Sequence, residues 1–200
     1  MKTTILTLIA AATITLSTSA FATTTTETVL PNITPIAKIE AHGNVEVFVT
    51  TGTKDGVKVY DDYYAKSALV QEDKGVLRVT NYDKNEKLVV EVTVTQLQNI
   101  AAYDNAVIKS DKLSLIDLKV DLYNQAYAGL NLNNYAANIN VNDQAKADLT
   151  GNVDQYSLTY SYGATVNRTE LAAVDVEETR VAAPKTAHPH MHTFNALARI

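Results

Sequence analysis

Tyr103-Asp104-Asn105-Ala106, Tyr123-Asn124-Gln125-Ala126, Asn142-Asp143-Gln144-Ala145 and Ser161-Tyr162-Gly163-Ala164 are four variants of one short phrase. Their alanines fall 20, 19 and 19 residues apart. A period near twenty is the mark of stacked repeats, which decides the fold before any single element does. Around each alanine the columns alternate. Six residues before it stand Ile100, Val120, Ile139 and Leu158; four before it, Ala102, Leu122, Val141 and Tyr160; two after it, Ile108, Ala128, Ala147 and Val166. The column between the first two holds Ala101, Asp121, Asn140 and Thr159, which is mostly polar. In-out-in alternation is a strand with one buried face. The alternation then breaks, and Asn105, Gln125, Gln144 and Gly163 precede the alanine. Amides and glycine there predict a tight corner, with the left-handed backbone at that column.

A strand, a corner and a second strand repeated at this period describe an all-β fold. Its expected form is a right-handed parallel β-helix with 19–20 residues per coil in the C-terminal half. Equivalent residues then lie about 4.8 Å apart along the stack, so Asn and Gln can form ladders and small alanines let the corner close. Second strands are expected at Lys112–Leu115 and Leu130–Leu132. A last partial coil, Val174–Val181, is aligned with Leu158 onward at a shift of 16, and its charges suit a terminal edge.

Outward from the repeats, 1–22 reads as a secretory signal peptide. Lys2 gives the positive start, Ile5–Leu16 the apolar stretch and Ala20-Phe21-Ala22 the small-x-small cleavage site. Residues 23–35 read as a polar linker, 36–182 as the β-helix domain and 183–200 as a flexible tail. From Ile36 to Leu97 short alternating runs predict strands: Asn44–Val49, Gly56–Tyr60, Gly75–Val79 and Leu88–Val94. This half shows no tidy repeat and is expected to be the less regular, capping end of the solenoid. The absence of cysteine excludes disulfides, thiolate metal sites and a cysteine nucleophile. A net charge of −5 speaks against nucleic acid as partner. No span long enough to hold the mature chain in a membrane is expected, whereas open solenoid edges leave room for an oligomer.

The chain resembles the bacterial auto-transporter adhesin, head GIN domain family. The resemblance is carried by Ile39-Glu40-Ala41-His42-Gly43-Asn44-Val45-Glu46-Val47, Gly56-Val57-Lys58-Val59, Gly75-Val76-Leu77-Arg78-Val79, Val92–Ile100 and the repeats that follow. It covers about residues 36 to 182. It implies an exported or envelope protein with a right-handed parallel β-helix, and it carries over no catalytic residue. Relatives often place Gly-Ser or Gly-Ala at the corners; here only Gly163-Ala164 keeps the glycine.

Three groups of side chains are candidates for chemistry. His188, His190 and His192 alternate and would share one face of an extended strand, as a zinc or copper site requires. Pro189 interrupts them and no carboxylate supports them, so the tail reading is preferred and no metal is assigned. Asp104 and Asp143, with Asn124 between, would sit roughly 10 Å apart, two strand spacings, without the paired acids of glycoside chemistry; a solvated corner is preferred. Tyr103 and Tyr123 share a column, with Tyr127 just past the second corner. A row of tyrosines can hold sugar rings or a protein, or simply stack between coils. Tyr103, Tyr123, Tyr127 and Asn124 are therefore the expected ligand-contacting residues. No catalytic set and no cofactor are expected. The favoured reading is a non-enzymatic exported protein, in the periplasm, on the outer surface or secreted, that binds a glycan, surface or protein partner. The alternative is a polysaccharide lyase or hydrolase.

Overall fold

The structure, a computed structural model, describes residues 27–30, 33–60 and 68–182. The expected leader and the histidine-bearing tail lie outside the described residues. Thirteen strands are seen and no helix among the described residues: β1 (Glu27–Val29), β2 (Lys38–Gly43), β3 (Val45–Thr51), β4 (Gly56–Tyr60), β5 (Ala68–Asp73), β6 (Val76–Asn81), β7 (Leu88–Val94), β8 (Asn99–Tyr103), β9 (Val107–Leu113), β10 (Asp117–Leu122), β11 (Tyr127–Val141), β12 (Lys146–Ser161) and β13 (Thr165–Val181).

The strands form two rows. In one, β6, β2, β8, β10 and the second half of β11 pair in parallel, followed by the second halves of β12 and β13. In the other, β7, β3, β9 and the first half of β11 do the same, continued by the first halves of β12 and β13. Because β11 bonds β9 with Tyr127–Leu132 and β10 with Asp117-paired Ala136 to Val141, the sheet curls around it. The repeat holds at atomic level: Ile100, Val120, Ile139 and Leu158 lie side by side. Tyr127, Lys146 and Thr165 each donate their backbone N–H to the corner alanine one coil earlier, at 2.9, 2.9 and 3.0 Å. Ala106, Ala126 and Ala145 are fully buried there.

The all-parallel expectation is corrected at one end. β1 pairs with β4, β4 with β7 and β5 with β6 in antiparallel fashion, so the sheet is mixed. The physical reason is coverage. β6 and β7 would otherwise offer open edges, and the chain doubles back to cover both. The N-terminal half also holds a coil that its sequence hides. β2 lies between β6 and β8, and β3 between β7 and β9. The chain therefore builds one coil, lays the next outside it, then crosses back to the inner side. Repeats out of spatial order give no constant period. The core runs through all of this, with Ile39, Val47, Leu77, Val90, Ile100, Ile108, Val120 and Ile139 fully buried.

Two smaller expectations also change. β9 ends at Leu113, so Lys112–Leu115 is not a separate strand, and Leu130–Leu132 lies within the long β11. In the last coil the shift from Leu158 is 20, not 16, because Leu158 pairs with Glu178 and Tyr160 with Arg180. A shift of 16 would have placed Val174 on Leu158; the backbone instead keeps its coil length and leaves Val174 78% exposed. Arg168 pairs with Glu178 on β13, and the Arg180 guanidinium lies 4.6 Å from the Tyr162 ring centre. Charge thus closes the end of the stack.

Gly43 is a point at which this packing is checked. Its φ is +77°, and a Cβ there would stand 2.1 Å from the carbonyl oxygen of Asn81 on β6. Gly43→Ala is expected to cost about 2 kcal/mol or more, read as a lowered midpoint in chemical denaturation. An unchanged midpoint would contradict the β2–β6 contact.

Candidate binding face

Outward-pointing residues on the first row form three columns. By register, Lys38, Asn99, Lys119, Asn138 and Ser157 make the first, and Arg78, Glu40, Ala101, Asp121, Asn140 and Thr159 the second. The third runs Thr80, His42, Tyr103, then Tyr123 and Asn142 just beyond the strand ends. The second column is knitted by charge and amide. Lys38 and Arg78 meet Glu40 at 2.6 and 3.0 Å, and Asn140 donates to Asp121 at 2.8 Å. Burial pushes the Glu40 carboxyl up, but Lys38 and Arg78 outweigh it and hold the group below its usual range.

The third column is an aromatic rail. His42 and Tyr103 stack with ring centres 4.4 Å apart and planes 2° from parallel; Tyr103 and Tyr123 follow at 4.9 Å and 5°. Each such pair contributes about 1 kcal/mol beyond its buried area. Tyr103 has both faces covered, so a ligand meets its edge and hydroxyl. Tyr123 ends the rail, because Asn142 follows and turns its amide to the Leu122 carbonyl at 3.2 Å. Burial raises both phenols above their usual pKa. Burial also holds the His42 imidazole below its ordinary 6.5, against the pull of Asp104 and Glu40. His42 was not among the residues expected at the site. Its signal was present: His42-Gly43-Asn44-Val45 aligns with Tyr103-Asp104-Asn105-Ala106 once Gly43 is read as a corner.

The corner beside the rail differs from expectation by one residue. The left-handed positions are Asp104 (φ 60°), Asn124 (60°) and Asp143 (55°), in line with Gly43, and not Asn105, Gln125 and Gln144. Asp and Asn tolerate this backbone better than the longer Gln does. A four-residue turn closes each corner, with Ala106, Ala126 and Ala145 donating to Tyr103, Tyr123 and Asn142 at 3.1, 3.1 and 3.0 Å. Asn124 is tied on both sides. Its Nδ2 donates to Asp104 at 3.0 Å, and its backbone N–H donates to the Asp143 carboxylate at 2.9 Å. An amide between two carboxylates keeps like charges from stacking directly.

Tyr127 is not part of the rail. It stands past the corner on the second row, and its hydroxyl donates to Asp148 at 2.7 Å. That bond, then burial, pushes the phenol up to about 12. Gly129 leaves room for the ring: a Cβ there would stand 2.9 Å from the hydroxyl oxygen. The structure thus brings Tyr103, Tyr123 and Asn124 together and places Tyr127 apart.

On the far side of the first column lies a groove of ≈1340 Å³, where the second row bends into the first. It crosses successive coils at equivalent places: Gln96–Asn99, Ser114–Lys119, Asn133 with Ala136–Asn138, Gln155–Ser157 and Asp175–Glu177. Among the described residues no group of His, Asp and Glu is placed to hold a metal ion, and no helix is long and apolar enough to cross a membrane.

The family model described as "Putative auto-transporter adhesin, head GIN domain" matches residues 36–183. Among solved structures, a putative adhesin from Parabacteroides merdae ATCC 43184 superposes with a TM-score of 0.62 at 13% identity, covering 78% of each chain. A putative adhesin from Parabacteroides distasonis ATCC 8503 gives 0.58 at 12% identity, covering 78% of this chain and 77% of that one. A putative lipid binding protein from the same strain gives 0.58 at 10% identity, covering 78% of each. At these identities the likeness is one of fold. No curated protein matches the chain.

Two measurements check this geometry. Asn124→Asp sets three carboxylates in one stack and is expected to cost about 2 kcal/mol at neutral pH, with the loss shrinking as pH falls through the carboxylate range. Wild-type stability should hold above pH 6.5 and fall below it as His42 is approached. The sign follows from its depressed folded pKa: between the two pKa values the unfolded chain binds the proton and the folded one does not. His42→Phe keeps a stackable ring and should flatten that part of the profile in thermal unfolding between pH 8 and 5; the same slope in both proteins would contradict the placement of His42.

Proposed function

This chain belongs to the putative auto-transporter adhesin, head GIN domain family, and from that premise we propose that it is a non-enzymatic, exported, adhesin-like binding module. In this reading the two parallel rows are walls of a right-handed β-helix, the hand that parallel crossovers take. The stack presents one rigid outer face to a glycan or protein partner. The observation that carries the reading is the rail of His42, Tyr103 and Tyr123, which sets aromatic surface and phenol hydroxyls in a straight line beside amide and charged columns. Tyr123, the last ring of the rail, offers its edge and hydroxyl beside the Asn142 amide to a partner.

The lyase or hydrolase alternative finds little support at the corner. Asp104 accepts from Asn124 and Asp143 accepts from the Asn124 backbone, so both carboxylates serve the turn. One structural neighbour bears the name of a lipid binding protein. The groove here sets amides and carboxylates among its apolar residues, a mixture that suits a polyhydroxylated ligand better than an acyl chain.

The reading is tested by exposing the mature protein to glycan and protein arrays. Binding to at least one class is expected, with Tyr123→Ala lowering it at least tenfold and Tyr127→Phe leaving it unchanged. No binding to any class, or equal binding by Tyr123→Ala, would overturn it.

A further inference from the structure

We propose that the groove at the bend between the two rows is a seat for an extended, uncharged or amine-bearing polysaccharide chain lying along the coil axis. This rests on the adhesin reading and names the ligand class and the place. Three features carry it.

The first is chemistry. Gln96, Gln98, Asn99, Asn133, Asn138 and Gln155 supply six amides to one groove. An amide side chain donates and accepts at once, as a sugar hydroxyl does, so a row of them matches a polyhydroxylated chain without fixing a charge. Gln155 already bonds a phenol in this way, donating to Tyr135 at 3.2 Å.

The second is apolar surface set among the amides. Ile116 is 75% exposed and Val176 52% exposed, and both line the groove. Exposed aliphatic side chains beside hydrogen-bonding groups suit the C–H face of a pyranose ring. Ala136 and Ala137 keep the floor low on the coil between them.

The third is charge and repeat. Asp117, Asp175 and Glu177 line the groove against a single ammonium, Lys119, which is itself paired with Asp121 at 3.0 Å. A uronate chain would meet net negative charge; a neutral chain would not, and an amine-bearing chain would be attracted. The groove crosses five successive coils, about 19 Å at one strand spacing each. That step is close to the length of one sugar unit, so consecutive units would meet consecutive coils.

The test uses the full mature chain and linear oligosaccharides of one to eight units, from neutral hexose, amine-bearing and uronate series, titrated by calorimetry. Affinity for the neutral or amine-bearing series is expected to rise with length to four or five units and then level off, with the uronate series at least tenfold weaker. Asn138→Ala with Gln155→Ala should lower affinity at least tenfold at an unchanged melting temperature. Ile116→Ser, at an exposed site with no share in the core, gives a second reading and should lower it as well. The proposal is overturned if the uronate series binds best, if length has no effect, or if all these variants bind like wild type. If array binding persists and depends on Tyr123 while the groove variants are silent, the groove assignment fails and the adhesin reading stands. If nothing on the arrays binds, the adhesin reading fails as well.

Discussion

The inner coils of this protein turn their corner through one residue with left-handed backbone, whereas the 161–164 corner closes without one, and the stacked face follows from that constraint. Gly43, Asp104, Asn124 and Asp143 meet it in four adjacent coils. Because they stack, the corner of one coil hydrogen-bonds the corner of the next. Register is then fixed at one end of the strands that run into these corners. A one-residue slip would turn each inward Ile, Val or Leu to solvent, so corner and core enforce each other.

A rigid register has consequences on the outside of the sheet. Side chains one coil apart are held at strand spacing, whether or not they would otherwise attract. Three rings in the position before the left-handed residue become a stacked rail. Glu40 and Asp121 acquire cations and an amide as fixed neighbours. The same regularity repeats the link between rows from coil to coil and so generates a groove rather than scattered dents. The candidate binding face is thus a by-product of stacking, with its chemistry set by which residues occupy the outward columns.

Much of this was legible in the sequence because the C-terminal repeats follow one another in space in chain order. The inward columns through Ile100, Val120 and Ile139, the alanine corner and the Tyr103–Tyr123 pair all follow from the spacing alone. Four things were not legible. The β2–β3 coil sits between coils that come later in the chain, so its kinship with the repeats has no constant offset; that concealed His42. The antiparallel cover strands answer the need to protect edges, which leaves no periodic trace. The last register was drawn by matching Val174 to Leu158, whereas backbone continuity set Glu178 there and left the valine exposed. The groove was invisible because its lining combines strand residues of five coils with the links 95–98 and 114–116, which follow no common period.

The out-of-order stacking of β2 against β8 is the most demanding part of this account, and the chain's lack of cysteine gives a clean background for testing it. Glu40 and Ala101 are register partners across that pair, whereas Glu40 and Asp121 are separated by a whole strand. Neighbouring strands are within reach of a disulfide and next-nearest strands are not. Oxidation of E40C/A101C, read by mass spectrometry of the proteolysed monomer, should give one internal cross-link, with none in E40C/D121C. A cross-link in the second pair and not in the first would contradict the stacking order on which the rail, the face and the groove all depend.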